Sequence, residues 1–599
     1  MTAADHPAAP SPEAWLSPVV WDEAGAPRSR LFDDVYFSAV DGLAESRAVF
    51  LQGCGLPEAW RGRRRFVVGE LGFGSGLNIL ALLDLWAKTR EPGARLNVFS
   101  VEAHPMDAKD AARVLGPWPE LSGLASQLVE RWPRRARGFH RLDFDEIGAT
   151  LDLAIMDAAE ALEAWRGAAD AWFLDGFSPA ANPGMWSPAV LAGVARRSAP
   201  GARIATFTVA GAVRRGLAAE GFAVDKRPGF GRKRERLEAV WPGTPGAEPP
   251  APRVAIIGAG IAGAALARVF AARGLRATVI DAEGPGAGAS GNPAALVMPR
   301  LDAGGGAVAQ LYAQAFARAV DLFNAEPAMV IARGTAQLEV GPKDPDRFDR
   351  IAGGDLFQTG AVTRLPPGGP GGLSFAESLV IDAPAVLGAW LGGAEGVRAE
   401  VCSLAPSEDG WVVTGPDGAP IVCADIVCLA NGLAARDLAG DLPLTPVRGQ
   451  VSIAVGAPSP AAIIGGGYLI PTRDGLLFGA THDRDDLGED VRVQDHIRNL
   501  DLLAQVRPDL AEAAQGWTLT GRAGVRAACP DFLPLAGPLD GRPGLFVLSG
   551  LGSRGFCAAP LLAEHVAALA LAAPSPLPAA LAQIVDPARF EARARRRRG

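Results

Sequence analysis

Tyrosine is nearly missing from this 599-residue chain, which holds three, and histidine and cysteine are scarce at six each. The cysteines (54, 402, 423, 428, 529 and 557) form no CxxC pair and no metal-ligand spacing with histidine. A disulfide framework and a zinc finger are thereby excluded. Reduced thiols in a cytoplasm are the simplest account, and no metal is expected. No apolar run reaches the roughly 20 residues that span a bilayer. The nearest, LLAEHVAALALAA from Leu561, is interrupted by Glu564 and His565 and reads as a packed helix. The opening MTAADHPAAPSPEAW has no basic segment followed by an apolar one, so no secretory signal is expected. Net positive charge is lacking too: the balance is −8, which argues against nucleic-acid binding over the whole surface.

Local charge is different. RGRRR (61–65), RWPRRARGFHR (131–141), RPGFGRKRER (227–236) and the tail ARARRRRG are all basic. Each alone could be a solvated face or a tail. Three such runs within the first 240 residues point to an anionic macromolecular partner. The length predicts two to four domains. The stretch WPGTPGAEPPAP (241–252) is a Pro- and Gly-rich linker without apolar periodicity. The expected division is residues 1–242, a linker over 243–252, and residues 253–599.

The front segment alternates strand and helix. Candidate strands are RFVVGEL, LNVFSVE, LDLAIMD, AWFLDGF, ARIATF and the closely spaced pair FAVDKR and RLEAVW. Alternation predicts a mostly parallel doubly wound sheet, with the last pair as an antiparallel hairpin on one edge. The turn after the first strand, ELGFGSGLNIL, carries Glu70, Gly72, Gly74 and Gly76. An acid two residues before the first glycine repels a pyrophosphate but attracts a sulfonium and an ammonium. S-adenosylmethionine has both and no phosphate. Glu102, ending the next strand, is placed to bind both ribose hydroxyls. Asp157, ending the third, is placed to accept from the adenine amine. Asp175, in WFLDGFSPAANPGMW, lies beside the methyl group in this architecture and can accept a proton from an acceptor amine. Phe177, Pro179 and Trp186 could wall the acceptor or belong to the core.

The rear segment opens with PRVAIIGAGIAGAALARVFAARGLRATVID. Gly258 permits a tight turn, Gly260 lets the backbone approach a pyrophosphate, and Gly263 lets the helix pack on the strand. Asp281, 23 residues after Gly258, ends the next strand where ribose hydroxyls would sit. A final strand–glycine–helix, GLFVLSGLGSRGFCAAPLL, returns to the same dinucleotide site. This segment resembles the glycine oxidase, sarcosine oxidase and D-amino acid oxidase flavoproteins. The resemblance rests on GASGNPAALVMPR (288–300), CLANG (428–432), RGQ (448–450), GVRAACPDFLPLAG (524–537) and LSGLGSRGF. It implies FAD, with Ser290, Gly291, Asn292, Gly552, Arg554 and Gly555 beside it, and oxidation of a C–N bond next to a carboxylate. Arg448, Arg526 and Arg554 are candidates to hold that carboxylate, since a guanidinium fork suits two oxygens.

FDDVYFS (32–38), GLPEAW (55–60), GFGSGLN and WFLDGFSPAANPGMW, followed by the flavoprotein segment, resemble the bifunctional tRNA 5-methylaminomethyl-2-thiouridine biosynthesis family over residues 15–575. The resemblance implies a class I methyltransferase-like Rossmann domain fused to a glycine oxidase-like FAD domain with an additional antiparallel sheet. The FAD domain would remove the carboxymethyl group from a tRNA wobble uridine, and the other domain would methylate the exposed amine. By the resemblance, Glu70, Gly72, Gly74, Gly76, Asn78, Glu102 and Asp157 bind S-adenosylmethionine, and Asp175 is catalytic. Gly258, Gly260, Gly263 and Asp281 hold FAD. A cytoplasmic monomer acting on tRNA is expected. Few tyrosines leave base stacking to Trp, Phe and Arg. Two other readings fit the residues less well: an amino acid oxidase fused to a small-molecule N-methyltransferase, and an inactive RNA-binding scaffold.

Overall fold

The computed structural model describes residues 18–598, apart from 24, 38–40, 133–135, 232, 441 and 459. The opening MTAADHPAAPSPEAW, Ser38 of FDDVYFS, and parts of two basic runs lie outside the described residues, as do several side chains of the arginine-rich tail. Chain contacts divide it into two compact units. One is Met1–Pro250 with Pro574–Ala579, and the other is Ala251–Ala573 with Ala580–Gly599.

The first unit is built on one eight-stranded sheet. Its strands are β1 (Arg65–Leu71), β2 (Arg95–Glu102), β3 (Gly138–Phe144), β4 (Ala149–Ile155), β5 (Ala169–Leu174), β6 (Ser198–Thr206), β7 (Ala223–Pro228) and β8 (Glu235–Val240). Their order is β3-β4-β2-β1-β5-β6-β8-β7. The five central strands are parallel, and β7 with β8 forms the antiparallel hairpin at one edge. At the other edge β3 is an antiparallel strand that sequence reading treats only as part of a basic run. Its Arg141 is neutralised in the interior by Asp152 of β4 through two 2.7 Å hydrogen bonds.

The central strands read as continuous apolar runs because helices cover both faces. Trp86, Trp165 and Trp172 are fully buried on these faces, each contributing about 2–3 kcal/mol from area alone. Gly69 makes room for Trp172: a β-carbon there would stand 2.3 Å from the indole.

The second unit has a parallel-rich sheet carrying Val254–Ile257, Thr278–Asp281, Glu395–Arg398, Ile426–Leu429 and Leu545–Ser549. A larger, mostly antiparallel sheet includes Thr445–Val455 paired with Leu519–Ala528. The fully apolar strand Val254–Ile257 sits at the centre of the first sheet, and helix Ile261–Ala272 follows it directly. Helix Gly555–Ala570 packs on that helix.

Among the described residues no helix is long and apolar enough to cross a membrane. All six cysteines are free thiols, with Cys402 and Cys423 exposed and the other four buried.

Candidate active sites

At the carboxyl edge of the first sheet lies a cavity of about 470 Å³. Gly72, Gly74, Asn78, Glu102, Asp157 and Asp175 all line it. Gly72, Gly74 and Gly76 have φ of +90°, +54° and +77°, a region that disfavours side chains. A β-carbon on Gly72 would come within 3.1 Å of the Asp175 carbonyl, so the turn must lie flat against the end of β5. Gly76 stands behind the wall and starts the helix Leu77–Thr89 in the left-handed conformation.

Glu70 is also behind the wall. It points inward from β1, is wholly buried, and accepts from Ser100 Oγ at 2.5 Å. Its Oε1 has no hydrogen-bond partner, and burial holds its carboxyl well above the usual range. Direct contact with a sulfonium, expected from its spacing, is therefore replaced by a place beneath the glycine turn.

Glu102 accepts from Gly74 N (2.9 Å) and His104 N (2.8 Å). It fixes the turn and keeps acceptor capacity, since a carboxylate has about four acceptor positions. Asp157 caps its helix, accepting from Ala159 N at 2.9 Å. Asp175 accepts from Gly176 N (2.8 Å) and from Asn78 Nδ2 (2.7 Å). Burial pushes its carboxyl up to about 6, against the opposing effect of those two bonds and of Lys233. A base poised there is ionised at neutral pH yet able to take a proton.

Several lining residues escaped sequence reading as site residues. Phe32, Asp34, Val35, Tyr36 and Phe37 line the cavity: Asp34 accepts from Ser178 N at 3.0 Å, and Phe32 stacks on Phe177 with centroids 5.0 Å apart. Lys233, from the hairpin loop, enters the wall paired with Glu45 at 2.9 Å and 4.0 Å above the Phe207 ring. Residues distant in sequence carry no spacing signal for such contacts.

The second unit holds a cavity of about 840 Å³. Gly258, Gly260, Asp281, Ser290, Asn292, Arg526, Gly552, Arg554 and Gly555 line it. Gly258 has φ of +107° and touches the backbone of Ala430, while a β-carbon on Gly263 would stand 1.8 Å from the Gly258 carbonyl oxygen. Gly263 and Gly291 therefore pack behind the wall. Asp281 accepts three backbone N–H groups, from Ala259 (2.7 Å), Glu283 (3.0 Å) and Gly284 (2.7 Å). Ser290 Oγ accepts from Ile261 N at 3.0 Å. The glycine cradle at a helix N-terminus fits a pyrophosphate, and the buried, unpartnered Oδ1 of Asn431 in the same wall leaves an acceptor for a bound group.

Arg448 is a correction. Its register partner is Val525, one residue from Arg526, so the pleat sends the two guanidinium groups to opposite faces. Arg448 is fully buried and donates to Gly488 O, Asp490 O, Gln450 Oε1 and Asp495 Oδ2, the last at 2.6 Å. It has no fork left for a substrate carboxylate. Arg526 does face the cavity and donates to Thr481 O at 3.0 Å. It crosses Gly449, where a β-carbon would fall 1.6 Å from its Nη2. No carboxylate pairs with Arg526 or Arg554 among the described residues, and burial lowers the pKa of both. Tyr468 and His482 also line the cavity and went unread; burial raises the pKa of Tyr468 against the opposing effect of Arg526, and burial with Arg526 lowers that of His482.

Several described members of the basic runs are neutralised: Arg63 pairs with Asp170, Arg64 with Glu248, Arg137 with Glu160, Arg227 with Asp225 and Arg236 with Glu238. Counting charges along the sequence overstates the positive surface they provide.

A carboxylate-lined pocket beside one doubly wound sheet and a glycine-cradled pocket beside another define an S-adenosylmethionine-dependent methyltransferase unit followed by an FAD-dependent oxidoreductase unit. Family comparison agrees: residues 119–242 match the S-adenosyl-L-methionine-dependent methyltransferase model and residues 253–569 the FAD dependent oxidoreductase model. The tRNA 5-methylaminomethyl-2-thiouridine biosynthesis bifunctional protein MnmC of Caulobacter sp. (strain K31) is 56% identical, over 96% of this chain and 98% of that protein. The protein of the same name from Maricaulis maris (strain MCS10) is 43% identical, over 97% of each. Glycine oxidase from Geobacillus kaustophilus is similar at 24% identity and a TM-score of 0.47, covering 54% of this chain and 96% of that one. The chain belongs to the family of tRNA 5-methylaminomethyl-2-thiouridine biosynthesis bifunctional proteins.

Proposed function

We propose that the second unit oxidises the carboxymethylaminomethyl group of a tRNA wobble uridine, and that the first methylates the amine this exposes. The chain would thus act in the cytoplasm, as a monomer, on 5-carboxymethylaminomethyl-(2-thio)uridine and then on 5-aminomethyl-(2-thio)uridine. FAD supplies the acceptor for two electrons from the C–N bond. Gly258, Gly260, Asp281, Ser290, Asn292, Gly552 and Gly555 would hold it, with Gly263 and Gly291 packing behind. Arg526 engages the substrate carboxylate through its fork, with Arg554 as a second cation in the same wall. The resulting imine takes up water and separates into glyoxylate and a primary amine.

S-adenosylmethionine supplies the methyl group. Glu102 and Asp157 would bind its adenosine, and Asn78 and the three glycines shape the cradle over Glu70. Asp175 orients the acceptor amine and accepts its proton, while Asn78 and Gly176 hold the carboxylate in place. The observation that carries this reading is the pairing of chemistries. One pocket offers unpaired arginines for a carboxylate beside an amine, and the other offers a carboxylate to a bare amine. The product of the oxidising pocket is the substrate of the methylating one. Supplying carboxymethylaminomethyl-tRNA without S-adenosylmethionine should yield glyoxylate and aminomethyl-tRNA, and adding S-adenosylmethionine should convert the latter to methylaminomethyl-tRNA. Failure to release the primary amine would overturn it.

A further inference from the structure

Beside the flavin pocket stands an aromatic ring that packing does not explain. Phe532 is 54% exposed and has φ of +58°, a conformation costly for a bulky side chain. Its backbone is fixed from several directions. Phe532 N donates to Cys529 O at 2.9 Å, and Arg300 Nη1 donates to Phe532 O at 3.1 Å. The preceding Asp531 is held by Arg589 (3.0 Å) and Arg593 (2.6 Å). The backbone that carries the exposed ring is thus held in place.

Arg484 shares this exposure, and Arg300 is half-buried. Arg484 lies over the ring at 5.5 Å from its centroid. Nearby Arg492 is bound to Asp486 and Asp490, and Arg498 to Asp483 and Asp495. Arg484 has no carboxylate partner among the described residues, and neither does Arg300. Both stand near residues of the cavity wall. Arg484 follows the lining residue His482 by two positions, and Arg300 neighbours the lining residue Arg554.

We propose that Phe532 and Arg484 form a stacking platform for a base of the anticodon loop next to the target uridine, with Arg300 and Arg484 facing the adjacent phosphates. The inference rests on the tRNA reading above and adds where the nucleic acid is gripped at the oxidising site. Single-stranded RNA is recognised by stacking its splayed bases on aromatic rings and guanidinium planes. In a chain with three tyrosines, a preset Phe–Arg pair supplies that surface. The unpaired cations complement the phosphates, and the fixed backbone spares the ordering cost on binding.

The test uses the full-length flavoprotein. Phe532→Asn removes the ring but tolerates the left-handed backbone, and Arg484→Gln removes the cation. Steady-state kinetics of primary-amine formation on carboxymethylaminomethyl-tRNA, without S-adenosylmethionine, should show KM raised about tenfold for Phe532→Asn and raised, with a shallower salt dependence, for Arg484→Gln. Phe532→Tyr should keep the parental KM. The flavin absorption should persist, and KM for methylation of aminomethyl-tRNA should stay at the parental value. An unchanged oxidation KM in Phe532→Asn, or an equal rise in both steps, would overturn the platform. Absence of amine formation by the parental protein would instead sink the functional reading on which it rests.

Discussion

The two pockets share a plan and differ in sign. Each begins with a strand, a glycine turn and a helix at the carboxyl edge of a parallel sheet. The first is lined by Asp34, Glu45, Glu102, Asp157 and Asp175, with Lys233 already paired to Glu45. The second brings Arg436, Arg522, Arg526 and Arg554 together with Asp281, Asp437 and Glu489. The shared geometry therefore identifies neither ligand. Charge at the strand ends separates a sulfonium donor from a diphosphate, and it also separates a bare amine from one carrying a carboxylate.

The sharpest way to break the comparison is to close one cradle and leave the other. In Gly263→Val the added carbons must enter the space of the Gly258 carbonyl, 1.8 Å from the ideal β-carbon position. The protein should purify colourless, with no flavin absorption, while methylation of supplied aminomethyl-tRNA continues. Retained flavin would mean that this turn does not hold the dinucleotide. Next in size is Asp175→Asn, which keeps the shape of the first pocket and removes the proton acceptor. Methylation should fall by about 10²–10⁴, and mass spectrometry should find aminomethyl-tRNA accumulating from an unimpaired oxidation. Normal methylated product would exclude the assigned role.

The arginines sharpen the comparison within the second pocket. Arg526→Met should raise KM for the carboxymethylaminomethyl substrate by about 10- to 100-fold, the range of a charge-assisted hydrogen bond, with thermal stability little changed. Arg448→Met should do the reverse. It removes the buried cation at 2.6 Å from Asp495, leaving that carboxylate only Arg498, and takes the donor away from Gly488 O, Asp490 O and Gln450 Oε1, a loss of about 3–5 kcal/mol in unfolding free energy. If thermal denaturation showed Arg448→Met as stable as the parent, the assignment of the two faces would be wrong.

These arginines also show where a sequence stops being legible. The glycine turns, strand-end acids and central strands were readable because local spacing dictates them: Glu102, Asp157 and Asp175 each follow an apolar strand that must be covered on both faces. Arg448 and Arg526 look equivalent in the sequence, but their facing depends on a register between strands about 80 residues apart. Glu70 has the right spacing for ligand contact, yet its strand turns it inward onto Ser100. The strand Gly138–Phe144 was hidden because it continues an arginine-rich run, and its one arginine, Arg141, is buried against Asp152. Phe32, Asp34 and Lys233 reach the first pocket only through the tertiary fold. Charge runs misled for the same reason, since their partners come from elsewhere in the chain.

The smallest expected effect concerns pH, and it too divides the two pockets. Burial raises the Asp175 carboxyl to about 6 in the folded protein, so the folded state binds a proton that the unfolded chain has released at that pH. For catalysis the ionised form is the competent one. Methylation kcat/KM should therefore hold steady above about pH 6 and fall about tenfold per unit below it. For stability the sign is opposite. Between about pH 4 and 6 the folded state carries more protons than the unfolded state at this site, so its contribution to stability declines as pH rises through that window. Asp175→Asn should abolish the decline while leaving flavin binding alone. Amine formation in the second pocket, whose carboxylate-binding candidates are arginines, should carry no acid limb that Asp175→Asn removes when flavin is saturating; a limb from the lining His482, whose pKa burial lowers, would survive that substitution. A limb near pH 6 in the oxidation and none in the methylation would place the titrating carboxylate in the wrong pocket.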